Sequence, residues 1–163
     1  MKRYVIAVYV ENKYGVLARV SGMFMRKGFN IDSLTVGETD DPNFSRITIT
    51  INGDEYIREQ LINQLKKLHN VQSVKLLEQD ATVERELMLI KVKTTPQNRS
   101  EVMAASEIYR AKIVDYNTDT MCVEVTGEPG KIDAFIEVMK PLGIEEICRT
   151  GVVALERGAS ILN

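Results

Sequence analysis

The sequence predicts an α+β chain made of two ferredoxin-like βαββαβ domains in tandem. Three observations carry this. Segments that are apolar at alternate positions, or throughout, are interleaved with segments whose apolar residues recur at helical spacing. Each half reads strand, helix, strand, strand, helix, strand, an order that gives a four-stranded antiparallel sheet with both helices on one face. The 163 residues suffice for two small domains, and the first helices of the two halves open roughly 83 residues apart. The boundary falls between 78 and 79, giving domains 1–78 and 79–163.

In the first half, residues 3–11 carry Val5, Ala7 and Tyr9 on one face and Tyr4, Ile6, Val8 and Val10 on the other, which describes a strand covered on both sides. Val16, Leu17, Val20, Met23 and Phe24 form a helical stripe. Arg26 and Lys27 suit its negative end, and Gly28 the position beyond it. Residues 30–38 read as strand, and Asp40-Asp41-Pro42-Asn43 as a turn. Ile47, Ile49 and Ile51 alternate with Thr48 and Thr50, a half-buried antiparallel strand. Gly53-Asp54 stops it. Ile57, Leu61, Ile62, Leu65 and Leu68 mark a second helix ending at Asn70, and Val71 to Leu77 is a last strand.

The pattern returns after the polar break Gln79-Asp80-Ala81. Leu87 to Val92 is a strand apolar on both faces. Thr95-Pro96 opens a helix carrying Val102, Met103 and Ile108. Ile113-Val114 and Met121 to Val125 flank the turn Asn117-Thr118-Asp119. Pro129-Gly130 opens a helix with Ile132, Phe135, Ile136 and Met139, since Pro is favoured in the first turn. Pro141 and Gly143 end it, and Ile144 to Leu155 holds the final strand. In both halves the first strand is apolar on the face that lacks helices. One small module would leave that face bare, which implies pairing of domains or subunits.

Composition removes several function classes. The 44% apolar content excludes a disordered chain, and 21 basic against 23 acidic residues leave a net charge of −2, without the basic excess of a generic nucleic-acid binder. With no Trp and only six Tyr and four Phe, single-strand stacking platforms are also disfavoured. Met1-Lys2-Arg3 before an apolar run imitates a secretory leader. The run Tyr4–Val10 is too short, and Glu11, Asn12 and Lys13 stand where small cleavage-site residues belong. Nor does it approach the roughly 20 residues of a membrane helix. Cys122 and Cys148 lie in separate apolar segments and read as two buried thiols of a cytoplasmic protein rather than a disulfide.

Chemistry-bearing constellations are missing from the sequence. His69 is the single histidine and lacks the partners of a zinc site. There is no Gly-x-Ser-x-Gly elbow. Gly127-Glu128-Pro129-Gly130-Lys131 lacks the spacer of a phosphate loop, and Ile132 replaces its Ser or Thr. No base, nucleophile and oxyanion site assemble, so neither catalytic nor metal-binding residues are expected. What stands out is Glu11-Asn12-Lys13-Tyr14-Gly15-Val16-Leu17, joining the first strand to the first helix. Gly15 lets a small ligand approach the backbone. The helix behind it offers free N–H groups and a positive dipole end that suit a carboxylate, and Asn12 adds a donor and an acceptor.

That loop is also where a family resemblance begins. It continues through Gly28-Phe29-Asn30-Ile31-Asp32-Ser33-Leu34-Thr35-Val36, Thr39-Asp40-Asp41-Pro42, Val83-Glu84-Arg85-Glu86-Leu87-Met88-Leu89-Ile90-Lys91-Val92, Gly130-Lys131-Ile132-Asp133-Ala134-Phe135 and Thr150-Gly151-Val152-Val153-Ala154-Leu155-Glu156-Arg157-Gly158. In these segments the chain resembles the regulatory small subunits of acetohydroxyacid synthase, also called acetolactate synthase. Their N-terminal domain is an ACT domain, a ferredoxin-like amino-acid sensor.

The resemblance implies a non-catalytic subunit with no cofactor of its own. Its partner would be the catalytic large subunit, which carries thiamine diphosphate, Mg and FAD. The subunit would raise that partner's activity and confer feedback inhibition by branched-chain amino acids: valine foremost, with leucine and isoleucine. The effector would sit where two ACT domains meet in a homodimer. One wall is Asn12, Lys13, Tyr14, Gly15, Val16 and Leu17, and the other is Asn30 and Ile31. Lys13-Tyr14 is bulkier than the pair usual in the family. Other readings are an ACT-type regulator of another enzyme or of transcription, a metal sensor, and a small ferredoxin-like enzyme. The first lacks a helix-turn-helix or basic ribbon when cast as a DNA regulator. The second has only one His and two separated Cys, and the third has no catalytic set.

Overall fold

The structure, a computed structural model, describes residues 2–162. It forms two compact units. The first runs to Val83 and takes back the segment from Val152 onward, and the second is Glu84–Gly151.

The first unit follows the expected order: β1 Lys2–Glu11, α1 Val16–Lys27, β2 Ser33–Glu38, β3 Phe44–Gly53, α2 Glu55–Lys66 and β4 Val71–Leu77. Its sheet order is β2-β3-β1-β4, with antiparallel pairing throughout. Tyr4, Ile6, Val8 and Val10 of β1 meet Ile47, Ile49 and Ile51 of β3 beneath Val20, Met23 and Phe24 of α1 and Leu61 and Leu65 of α2. Gly28 ends α1 at φ +68°, its N–H on the carbonyls of Met25 and Phe24. Asp54 starts α2 by accepting the Ile57 N–H at 2.8 Å. That helix stops at Lys66, short of Asn70, because residues 67–70 form the turn into β4.

The other face of this sheet bears out a β1 covered on both sides and corrects the expectation of a half-buried β3. Thr48 and Thr50 are as buried as the isoleucines between them. They pair with Ala7 and Val5 on the face without helices, and the chain's own C-terminal segment covers it. There β9, Val153–Glu156, follows Val152. Val152 and Ala154 pack with Val5, Ala7 and Leu77. Arg46 donates to the Ala154 carbonyl at 2.7 Å. Lys75 reaches Glu156 at 2.5 Å and Ser160 at 2.7 Å. The apolar face that implied pairing of domains or subunits is thus covered by the chain's own C-terminal segment. The helix stripe of Val16, Val20 and Phe24 is buried as well.

Hydrogen bonds from Lys75 and Ser160 hold the Glu156 carboxyl below the usual carboxylate range, and the Arg46 charge adds to them. A depressed native pKa stabilises the fold above the unfolded carboxylate value, and that contribution disappears as pH falls through the native value. The urea midpoint of the parent is therefore expected to fall more steeply than that of Glu156→Gln between about pH 6 and about pH 3. Equal slopes in the two titrations would remove this pair from the account.

The second unit contains most of β5 Thr82–Lys93, then α3 Arg99–Ile108, β6 Lys112–Tyr116, β7 Thr120–Gly127, α4 Pro129–Met139 and β8 Ile144–Arg149. The sheet path is β6-β7-β5-β8. Met88, Ile90 and Val92 pack with Val123, Val125, Ile132, Phe135 and Met139. Helix α3 starts later than Thr95-Pro96 implies. Asn98 accepts the Thr95 N–H at 2.7 Å while Thr95 Oγ1 accepts the Asn98 N–H, so a closed turn precedes Arg99. Of its expected apolar stripe only Val102 is buried; Met103 and Ile108 are exposed, and Ala105 and Ser106 take the inner positions. The span 144–155 is two strands, not one, divided around Gly151 at φ +81°. Both cysteines are free, but Cys148 is exposed and Cys122 only half-buried, correcting the expectation of two buried thiols. The buried Glu86 carboxylate takes a bidentate pair from Arg149, at 2.6 and 2.9 Å, and Arg149 also reaches Asp133 at 3.0 Å. The Glu86 bond raises the Arg149 pKa further.

Candidate functional site

Helix α1 begins abruptly. Gly15, at φ +80°, occupies the N-cap position, where no side chain caps the helix and no acidic residue stands in the first turn. The first N–H groups of a helix have no partner within it. Here the only main-chain bond near them is a 3.4 Å contact from the Val16 N–H to the Lys13 carbonyl. The helix end thus keeps its donors and positive dipole end for an outside anion. A Cβ at Gly15 would find nothing within 4 Å, so space is open there and the backbone conformation itself selects glycine.

The expected residues divide by role. Tyr14 is fully exposed and Leu17 partly so, whereas Val16 is buried in the core and can offer only its main chain. Lys13 lies over the loop and pairs with Glu11 at 2.8 Å. Asn12 donates its amide to Glu38 Oε1 at 3.1 Å and to the Pro42 carbonyl at 3.0 Å, tying the loop to the β2–β3 turn. Asn30 and Ile31 lie beyond the other end of α1, with Asn30 exposed and Ile31 half-buried against the core. Twelve helical residues separate the two sets by roughly 18 Å. One chain therefore does not bring them together.

Sequence reasoning missed a polar group behind the loop. Asn70, in the α2–β4 turn, is buried. It donates to Glu11 Oε2 at 2.8 Å and accepts from the Arg19 guanidinium, and its carbonyl takes the Glu11 N–H at 2.9 Å. Bonds from Lys13 and then Asn70 hold the Glu11 carboxyl below its ordinary range. The only sequence signal was Arg19, one turn after Gly15 on the polar side of α1. His69, beside this group, is exposed. Among the described residues no cluster of His, Cys, Asp or Glu could hold a metal ion. No helix there is long and apolar enough to cross a membrane.

Comparison with known proteins matches both units. Residues 6–73 match the family model described as AHAS small subunit-like ACT domain, and residues 85–158 the model for the small subunit of acetolactate synthase. A probable acetolactate synthase small subunit from Archaeoglobus fulgidus is 50% identical over 157 residues, 96% of this chain and 98% of that one. The acetolactate synthase small subunit of Aquifex aeolicus is 46% identical over 162 residues, covering 99% and 84%. Among solved structures, the small subunit of acetolactate synthase from Thermotoga maritima superposes with a TM-score of 0.89 at 38% identity, covering 98% of this chain and 100% of that chain.

Proposed function

This chain belongs to the acetolactate synthase small-subunit family, and from that premise we propose that it activates a catalytic large subunit and makes it sensitive to branched-chain amino acids, valine foremost. The chain itself is non-catalytic, acts in the cytoplasm and holds no cofactor; thiamine diphosphate, Mg and FAD belong to the large subunit. The observation that carries the reading is the open N-terminus of α1 at Gly15, uncapped and with no acidic residue in its first turn, within a chain similar to these small subunits over nearly its whole length.

The effector carboxylate would meet the N–H groups of Gly15 to Leu17. The carbonyl oxygen of Asn12, whose amide nitrogen is already engaged, would accept from the ammonium. The distance between the two halves of the site supports a homodimer. A two-fold pairing that lays two α1 helices antiparallel sets the Asn12–Leu17 loop of each copy beside Asn30 and Ile31 of the other. Leu17 and Met25 of α1 and Val36 of the edge strand β2 are exposed apolar side chains that such a seam would cover.

Reconstitution tests the proposal. The purified chain alone is expected to form no acetolactate from pyruvate. Mixed with its large subunit, it should raise the rate of acetolactate formation, and valine should then inhibit the mixture but not the large subunit alone. An unchanged rate on mixing would refute activation, and turnover by the isolated chain would refute the non-catalytic reading.

A further inference from the structure

We infer that Asn70 and Arg19 are positioning residues for the effector loop, clamping both ends of it so that the α1 N-terminus faces a ligand in one fixed geometry. The inference rests on the proposed effector site for its functional meaning, and on the observed contacts for the clamp itself.

A buried amide is costly unless both of its halves are bonded. Asn70 is 6% exposed, and both halves are used on the β1–α1 connection. Its nitrogen donates to Glu11, the residue before the loop. Its oxygen accepts from Arg19, one turn after the loop. Its main-chain carbonyl takes a third bond, from the Glu11 N–H. Asn12 to Gly15 therefore spans two anchors that converge on one side chain more than fifty residues away in sequence. The Arg19 N–H also makes the first helical bond, to the Gly15 carbonyl at 3.0 Å, so an anchor on Arg19 fixes the turn that presents the free donors.

The clamp has an electrostatic role too. Glu11 stands immediately before the loop that leads to a helix end suited to anions, and a carboxylate free to swing there would compete with a ligand's carboxylate. Both the Asn70 and the Lys13 bonds fall on Glu11 Oε2 and hold that group beside the turn into β4. An amide suits this position because it donates to Glu11 and accepts from Arg19 at once, whereas a carboxylate has no donor and an ammonium no acceptor.

The test uses the full chain, first without its partner. Amide hydrogen exchange at Glu11, Asn12 and Arg19, whose N–H groups are bonded to the carbonyls of Asn70, Asn43 and Gly15, should quicken about tenfold in Asn70→Ala and in Arg19→Ala, with the α2 and β3 amides unchanged. Arg19→Lys, which keeps a donor, should restore most of the protection. Arg26→Ala, at the far end of α1, should leave exchange at Glu11, Asn12 and Arg19 as in the parent. In the reconstituted synthase, the valine concentration for half-inhibition should rise about tenfold in the two clamp variants and recover in Arg19→Lys. Parental exchange at Glu11, Asn12 and Arg19 in Arg19→Ala overturns the clamp even if Asn70→Ala proves too unstable to study. Faster exchange with an unaltered valine response overturns its role in effector binding. A parent that valine never inhibits, with exchange still faster in the variants, refutes the effector reading and leaves the clamp supported.

Discussion

Replacing Gly15 with Asp should raise the valine concentration for half-inhibition of the reconstituted synthase about 100-fold. Two carboxylates about 4 Å apart in a partly desolvated site repel by several kcal/mol at an effective dielectric of about 20, and a hundredfold weakening needs about 2.8 kcal/mol. Packing adds little, since a Cβ at this glycine meets nothing within 4 Å. Backbone strain adds some. N-cap side chains ordinarily sit on extended backbone, but Gly15 is left-handed at φ +80°, which costs an L-residue about 1–2 kcal/mol, less for Asp or Asn. Helix-cap preference is therefore not a reason for the fold to accept Asp here; its tolerance of the left-handed region is. Gly15→Asn carries the same strain without the charge and should shift the response far less. Valine titrations of both variants separate the two effects. A Gly15→Asp synthase inhibited like the parent would show that the carboxylate binds elsewhere.

Val152→Asp should destabilise the first unit by about 3 kcal/mol or more, because it strips a buried valine from the sheet and leaves an unpaired charge in its place. For a chain of this length that corresponds to a fall in Tm of roughly 10 °C. Val153→Asp, one residue along, should change stability by no more than about 0.5 kcal/mol, because Val153 is 49% exposed and Val152 only 4%. Thermal denaturation of the pair reads the strand alternation directly. Equal losses would mean that the C-terminal segment does not lie on the sheet in this register.

Most elements were legible because apolar periodicity is local. The β1, α1, β4 and α4 boundaries follow from residues within one turn of the ends, such as Gly28 or Pro129. Contacts between residues far apart in sequence were not legible. Thr48 and Thr50 look like the solvent side of a strand, and only the return of Val152 and Ala154 buries them. Met103 looks like core at helical spacing, but the inner stripe of α3 runs through Val102, Ala105 and Ser106 and leaves it outside. In the candidate site, Gly15 and the helix behind it were readable from residue chemistry. Asn30 and Ile31 came from family resemblance alone, and Asn70 could not be seen, since nothing local marks an asparagine whose partners lie 51 and 59 residues away.

The return of the C-terminus to the first sheet also sets an order of events during synthesis. Arg46 and the Ala154 carbonyl it binds are 108 residues apart, and the whole of the second unit is made between the two parts of the first. At ribosomal rates of about 5–20 residues per second, those intervening residues take roughly 3–14 s to emerge. Through that interval Val5, Ala7 and Leu77 present a bare apolar strand face on an otherwise paired sheet, the kind of transient surface on which nascent chains associate. The second unit has all its strands by Arg149 and can close first. The ACT domain, although translated first, is then the last to be completed.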